Sequence, residues 1–173
     1  NKLNLTTPDS SFNEGYRWAV VGTDRFFVNT PGIGRSMVAG YATTGFGWDG
    51  GHKVNGRPGY AWYFGRDGVW SGYATLGFGD FDKVRTILEL YIRYQDLSGK
   101  IFHELTTSGV AHYDAADATP LFISLAGRYL KHSGDVEFIR KNWSAIEKAV
   151  DFCYSTDTDG DGAANSYDLD SDN

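Results

Sequence analysis

Apolar positions recur at helical spacing in four or five stretches of this chain, and alternation of the strand kind is short. The clearest stretch runs from Asp80 to Gln95, where Phe81, Val84, Ile87, Leu88 and Tyr91 form one stripe. Ser98-Gly99 then breaks the chain. A first helix is predicted from Ser10 to Phe27: Pro8 and Asp9-Ser10 open it, and Phe12, Tyr16, Ala19, Val20 and Phe27 share a face, with Gly15 and Gly22 weakening it. A second is predicted from Asp67 to Phe78 on Val69, Tyr73 and Leu76. A fourth starts near Asp117 and stops at Gly134, a left-handed stop after Lys131 and His132. A fifth follows from Asp135 as N-cap, with Val136, Ile139, Trp143, Ile146, Val150 and Cys153 facing a core. Residues 32–59 read as one long Gly-rich loop. Lys100–Leu105 and Gly109–Tyr113 read as a short strand pair around Thr107-Ser108-Gly109. The fold class is therefore mainly α, built of antiparallel helical hairpins with long Gly-rich loops and a minor β-hairpin.

Composition narrows the partners. With 173 residues, 41% of them hydrophobic, the chain can bury one core. A net charge of −6 leaves no clustered basic face for nucleic acid. No apolar run reaches membrane-spanning length, so no membrane partner is expected. The single Cys153 allows no internal disulfide and reads as a small core residue. The chain opens on Asn1 and closes on Asp170-Ser171-Asp172-Asn173 without a final helix or strand, which reads as a piece of a longer protein. Cytoplasmic and exported locations both remain open.

Candidate chemistry lies in the loops. Tyr60-Ala61-Trp62-Tyr63-Phe64-Gly65-Arg66-Asp67 sets aromatic rings beside a charge pair between glycines. Ring faces suit the C–H faces of a sugar, and Arg66 with Asp67 suits its hydroxyls. The same pair also suits a plain surface ion pair with Asp67 as a helix cap. Asp114 and Asp117 lie three apart at a helix start and so share a face. They could cap the helix, or one could act as a general acid at the lip of the apolar Leu121-Phe122-Ile123. His103-Glu104 and Trp48-Asp49 are weaker candidates for sugar contacts. Asp157, Asp159 and Asp161 alternate before Gly162, with Asn165 ninth and Asp168 twelfth, as in the first half of a calcium loop. An Asp at the twelfth place is shorter than the usual Glu, and a solvated acidic turn fits the same residues. His and Cys offer no clustered metal site. No phosphate loop, nucleophile elbow or dinucleotide fingerprint is present.

The segments GRPGYAWYFGRDGVW, GKIFHEL, YDAADATPLFISLAGRY and DTDGDG, in that order, resemble the six-hairpin, (α/α)6-barrel glycoside hydrolases. The likeness is greatest to the amylo-α-1,6-glucosidase (glycogen-debranching) group, with glucoamylases and trehalases as more distant cousins, and it covers roughly residues 9–165. The resemblance implies that 1–156 is part of an (α/α)6 catalytic toroid and that 157–173 is an acidic loop of the same domain. It implies Asp117 as general acid, Arg66 and Asp67 on sugar hydroxyls, and Trp62 and Phe64 as a pocket wall. His103 and Glu104 would contact substrate, and Tyr113 and Asp114 would support the acid. The substrate would be an oligosaccharide or polysaccharide with α-glucosidic or related bonds. No cofactor is needed for catalysis, and calcium is a structural option at Asp157–Asp168. Inverting members place a second carboxylate, the base that activates water, well downstream. Nothing after Asp117 matches it, so the base is expected outside this chain, in the remainder of the parent protein. The other readings are a non-catalytic carbohydrate- or calcium-binding module, and a helical-repeat scaffold, for which no fixed period is found.

Overall fold

The computed structural model describes residues 3–41, 46–49, 52–55 and 60–157. Among them the architecture is mainly α, with six helices and short antiparallel strands. Helix α1 (Ser10–Arg25) starts where Asp9 accepts from the amides of Ser11 at 2.9 Å and Phe12 at 3.1 Å. It corrects one expectation: its apolar face is not core. None of its residues is buried, and Phe12 and Trp18 are more than half exposed.

The Gly-rich stretch contains more order than predicted. Strands β1 (Phe27–Thr30) and β2 (Gly34–Met37) pair antiparallel, Phe27 opposite Met37. Gly32 and Gly34 take φ of 81° and 137° in the turn, which a side chain would resist. Arg93 clamps that turn by donating to the carbonyls of Ile33 at 2.8 Å and Gly32 at 3.1 Å. A second hairpin joins β3 (Phe46–Asp49) to β4 (His52–Asn55).

The core sits where three helices meet. Helix α2 (Gly65–Gly77) packs on α3 (Phe81–Arg93) and on α4 (Ala118–Ser133). Val84, Ile87 and Leu88 of α3 are fully buried, as are Val69 of α2 and Phe122 and Leu125 of α4. Burying each such side chain stabilises the fold by roughly 1.5–3 kcal/mol. Gly72 lets the helices close: a Cβ there would lie 3.0 Å from Leu125 Cδ1. Gly134 ends α4 at φ 71°, as the sequence predicts.

The predicted fifth helix is two. Helix α5 (Val136–Lys141) starts at Asp135, which caps the Phe138 amide, and α6 (Trp143–Ser155) follows after Asn142. Asn142 Nδ2 donates to the Phe138 carbonyl at 2.8 Å, beside the Asn142 amide at 3.1 Å. Ile139, Ile146 and Ala149 reach the core, whereas Val136 and Trp143 are exposed. Cys153 is a free, half-buried thiol, pushed above its ordinary value by burial.

The predicted strand pair is shorter, and it has a third member. Strand β6 (Glu104–Leu105) lies between β5 (Tyr63–Phe64) and β7 (Ala111–His112). Alternation puts Tyr63, Leu105 and Ala111 on one face, with Tyr63 and Leu105 buried in the core. Phe64, Glu104 and His112 line the other face. This small sheet carries the loops of the candidate site.

Candidate active site

Two helices begin side by side here because of Gly65. Its amide donates to the His103 carbonyl at 2.8 Å. A Cβ on it would lie 2.4 Å from the Phe102 carbonyl oxygen and 2.8 Å from Ala118 Cβ. Only a glycine lets the first residue of α2 touch the first residue of α4. The loop before α4 is fixed as well: the fully buried Thr119 accepts from the Ile101 amide at 2.9 Å through Oγ1. The residues next in line therefore meet. Arg66 Nε donates to Asp117 Oδ2 across the two helix starts.

Asp117 stands at the N-cap position of α4, yet its side chain makes no capping hydrogen bond. Its Oδ1 is buried and has no hydrogen-bond partner among the described residues. An orphaned buried carboxylate oxygen calls for an explanation, since such a group ordinarily finds a partner or water. A capping role does not supply one. Asp67, the next residue on α2, is exposed in the first turn.

The aromatic wall differs from the expected one. Trp62 is buried, 3% exposed, and offers no open ring face. The rings that line up are Tyr60, Phe64 and His103. Tyr60 and Phe64 have centroids 6.3 Å apart, and His103 meets Phe64 edge-on at 5.8 Å. Tyr60 is 53% exposed on a held backbone, its carbonyl accepting from the Gly40 amide at 2.9 Å. Its place in the sequence, four residues before Phe64, is the signal that could have singled it out.

Two carboxylate–imidazole pairs flank this wall. His103 Nδ1 lies 2.6 Å from Asp114 Oδ1, and His112 Nδ1 lies 2.7 Å from Glu104 Oε1. Burial works to raise the Asp114 carboxyl, but the His103 hydrogen bond and charge outweigh it and hold the group below its ordinary value. Asp114 is thus bonded to the imidazole, not to Asp117. Tyr113 is placed away from the acid too: its hydroxyl donates to the Tyr94 carbonyl at 2.7 Å and ties the loop to the end of α3. Burial raises its phenol.

Of the calcium candidates, Asp157 follows α6, its amide 3.2 Å from the Tyr154 carbonyl. Asp159, Asp161, Asn165 and Asp168 lie outside the described residues, as does the side chain of Trp48. Among the described residues no group of three or more His, Cys, Asp or Glu is arranged to hold a metal. Among them, too, no helix is long and apolar enough to cross a membrane.

A pair of helix starts, an ion pair across them and a ladder of three rings thus lie on one short stretch of α2, α4 and the small sheet. The chain belongs to the amylo-alpha-1,6-glucosidase family, whose profile matches residues 21–159. That span holds every part of the site just described. A comparison with the curated proteins finds no match.

Proposed function

We propose that this chain carries the acid half of an inverting glycosidase site for α-glucosidic oligosaccharides. The observation that carries the proposal is Asp117, with one oxygen on Arg66 and the other buried without a described partner beside a ring ladder. When the side chain turns so that Oδ1 leaves its buried position, a glycosidic oxygen gives that atom its missing partner. Asp117 then donates its proton to the oxygen as the bond to the anomeric carbon breaks, and the leaving sugar departs as an alcohol. Before this step the Asp117 carboxylate parts from Arg66 and takes up a proton from solvent, so that it meets the substrate as the neutral acid. The Arg66 guanidinium then turns to sugar hydroxyls together with Asp67, and Tyr60 and Phe64 cover an apolar ring face. His103, fixed by Asp114, and Glu104, fixed by His112, offer further polar contacts.

Inversion needs a second carboxylate about 6.5–9.5 Å from the first, with a water between it and the anomeric carbon. Downstream of Asp117, Asp135 lies past the far end of α4, bonded to Tyr129 at 2.8 Å and to Arg85 at 3.4 Å. The base is assigned to a segment outside this chain. In the whole protein, Asp117→Asn is expected to lower kcat on α-1,6-linked glucose oligosaccharides by about 10²–10⁴-fold, with the fold intact. Activity within twofold of the unaltered protein overturns the acid assignment. Sugar binding without any turnover by the unaltered whole protein makes the site a binding module instead.

A further inference from the structure

Arg66 and Asp67 stand between two glycines, Gly65 and Gly68, and both glycines touch one buried tyrosine. Tyr91 of α3 is 1% exposed. Its hydroxyl donates to the Gly65 carbonyl at 2.9 Å and lies 3.2 Å from the Phe64 carbonyl. A Cβ on Gly68 would lie 2.2 Å from that hydroxyl, so the glycine makes the room the hydroxyl occupies. The ring is wedged edge-on between Phe102 of the preceding loop at 5.2 Å and Phe122 of α4 at 6.2 Å. One side chain thus touches the start of α2, the loop that Gly65 abuts, and α4. Hydrophobic packing alone would be served as well by a phenylalanine. The hydroxyl adds a directed bond at the one helical turn that carries the charge pair. Burial, with the charge of Asp67, pushes the phenol far up, so it stays a donor at any working pH.

We propose that Tyr91 is a positioning residue: its hydroxyl, seated between Gly65 and Gly68, sets the first turn of α2 so that Arg66 meets Asp117. For its effect on sugar binding this rests on the reading of the site given above. For its effect on the ion pair it does not. Without the hydroxyl the turn keeps its helical bonds but loses the strut that fixes its height over α4. A displacement of about 1 Å at such a turn is enough to disturb a catalytic arrangement by 10²-fold.

The test uses Tyr91→Phe, which keeps the ring, and Tyr129→Phe as a matched control. Tyr129 is also buried and hydroxyl-bonded, to Asp135 at 2.8 Å at the other end of α4. Gly68→Ala is the second variant, because it places a methyl where the Tyr91 hydroxyl sits. The first readout is the Arg66 Nε–H proton resonance, assigned by its loss in Arg66→Lys and by its position in Asp117→Asn. In Tyr91→Phe and Gly68→Ala it is expected to move toward its Asp117→Asn position, and in Tyr129→Phe to stay. The second readout is the Kd for isomaltotriose, expected to rise tenfold or more in the first two variants and less than twofold in the control. An Arg66 resonance unmoved in Tyr91→Phe, or moved equally in Tyr129→Phe, overturns the positioning role. If the unaltered protein does not bind the trisaccharide, the sugar reading fails and the resonance alone decides the role of Tyr91.

Discussion

At the scale of single residues, glycine placement decides the site more than any charged group does. Gly65 has a carbonyl oxygen 2.4 Å and a methyl 2.8 Å from where its own Cβ would stand, both well inside van der Waals contact. Gly65→Ala is expected to lower stability by about 1–3 kcal/mol, read as a lower urea midpoint, because backbone must shift to admit the methyl. It should also part Arg66 from Asp117. Gly127 of α4 has nothing within 4 Å, so Gly127→Ala is expected to raise the midpoint by up to about 1 kcal/mol through helix propensity. Equal effects of the two substitutions would show that the close approach at Gly65 is not what constrains it. The sequence makes Arg66, Asp67 and Asp117 visible one by one as chemistry-bearing residues. It does not reveal that Arg66 and Asp117 meet, because that meeting depends on a contact between residues 65 and 118 that no local pattern encodes. Likewise Asp114 looked like a companion of Asp117 on one helix face. It lies before the helix begins, where the chain is extended enough to turn its carboxylate to His103.

At the scale of elements, periodicity reports what a helix could bury, not what covers it. The stripe on α3 is buried from Val84 to Tyr91, because α2 and α4 both pack on it. The stripe on α1 buries nothing. Among its ties are the Leu3 amide to the Phe78 carbonyl at 2.8 Å, Tyr16 to the Leu3 carbonyl at 3.0 Å, the Tyr41 hydroxyl to the Arg25 carbonyl at 2.7 Å, and the ion pair of Asp24 with Lys83. Amide protons of α1 are therefore expected to exchange through openings that cost much less than global unfolding, while those of α3 exchange only with it. Equal protection of the two helices in native-state hydrogen exchange would contradict this. The hairpins within residues 27–55 escaped the pattern for a different reason. Four-residue strands are too short for alternation to register. At Asn142, where α5 ends, a side-chain bond to the Phe138 carbonyl joins the backbone one, and apolar spacing carries no trace of such a bond.

At the scale of the whole molecule, the acid limb of stability has named sources. Asp96 is held below its ordinary value by hydrogen bonds from Ser98, and Asp135 by the Phe138 amide and the Tyr129 hydroxyl. In Asp114 the His103 bond overcomes the opposing effect of burial. Each folded-state value lies under the unfolded one, so each contribution is fully present above about pH 4 and is lost as pH falls through the folded value. The melting temperature is expected to hold between pH 5 and pH 7 as far as these groups decide it, and to drop below about pH 4. Asp135→Asn should make that drop shallower. A melting temperature that is the same at pH 3 and pH 6 would exclude these bonds as contributors.

The order of strands in the small sheet has a consequence for how the chain is made. Among the described residues strand β5 has no strand partner until Glu104 and Leu105 exist, and the bond from Arg66 to Asp117 waits for Asp117. During synthesis from the N-terminus, the ring-rich segment 60–64 leaves the ribosome well before the strand that pairs with it. Tyr60 and Trp62 can already accept from the earlier Gly40 and Ala39, but Tyr63 and Phe64 remain an unpaired strand edge over that interval, the sort of surface that nascent chains offer to chaperones.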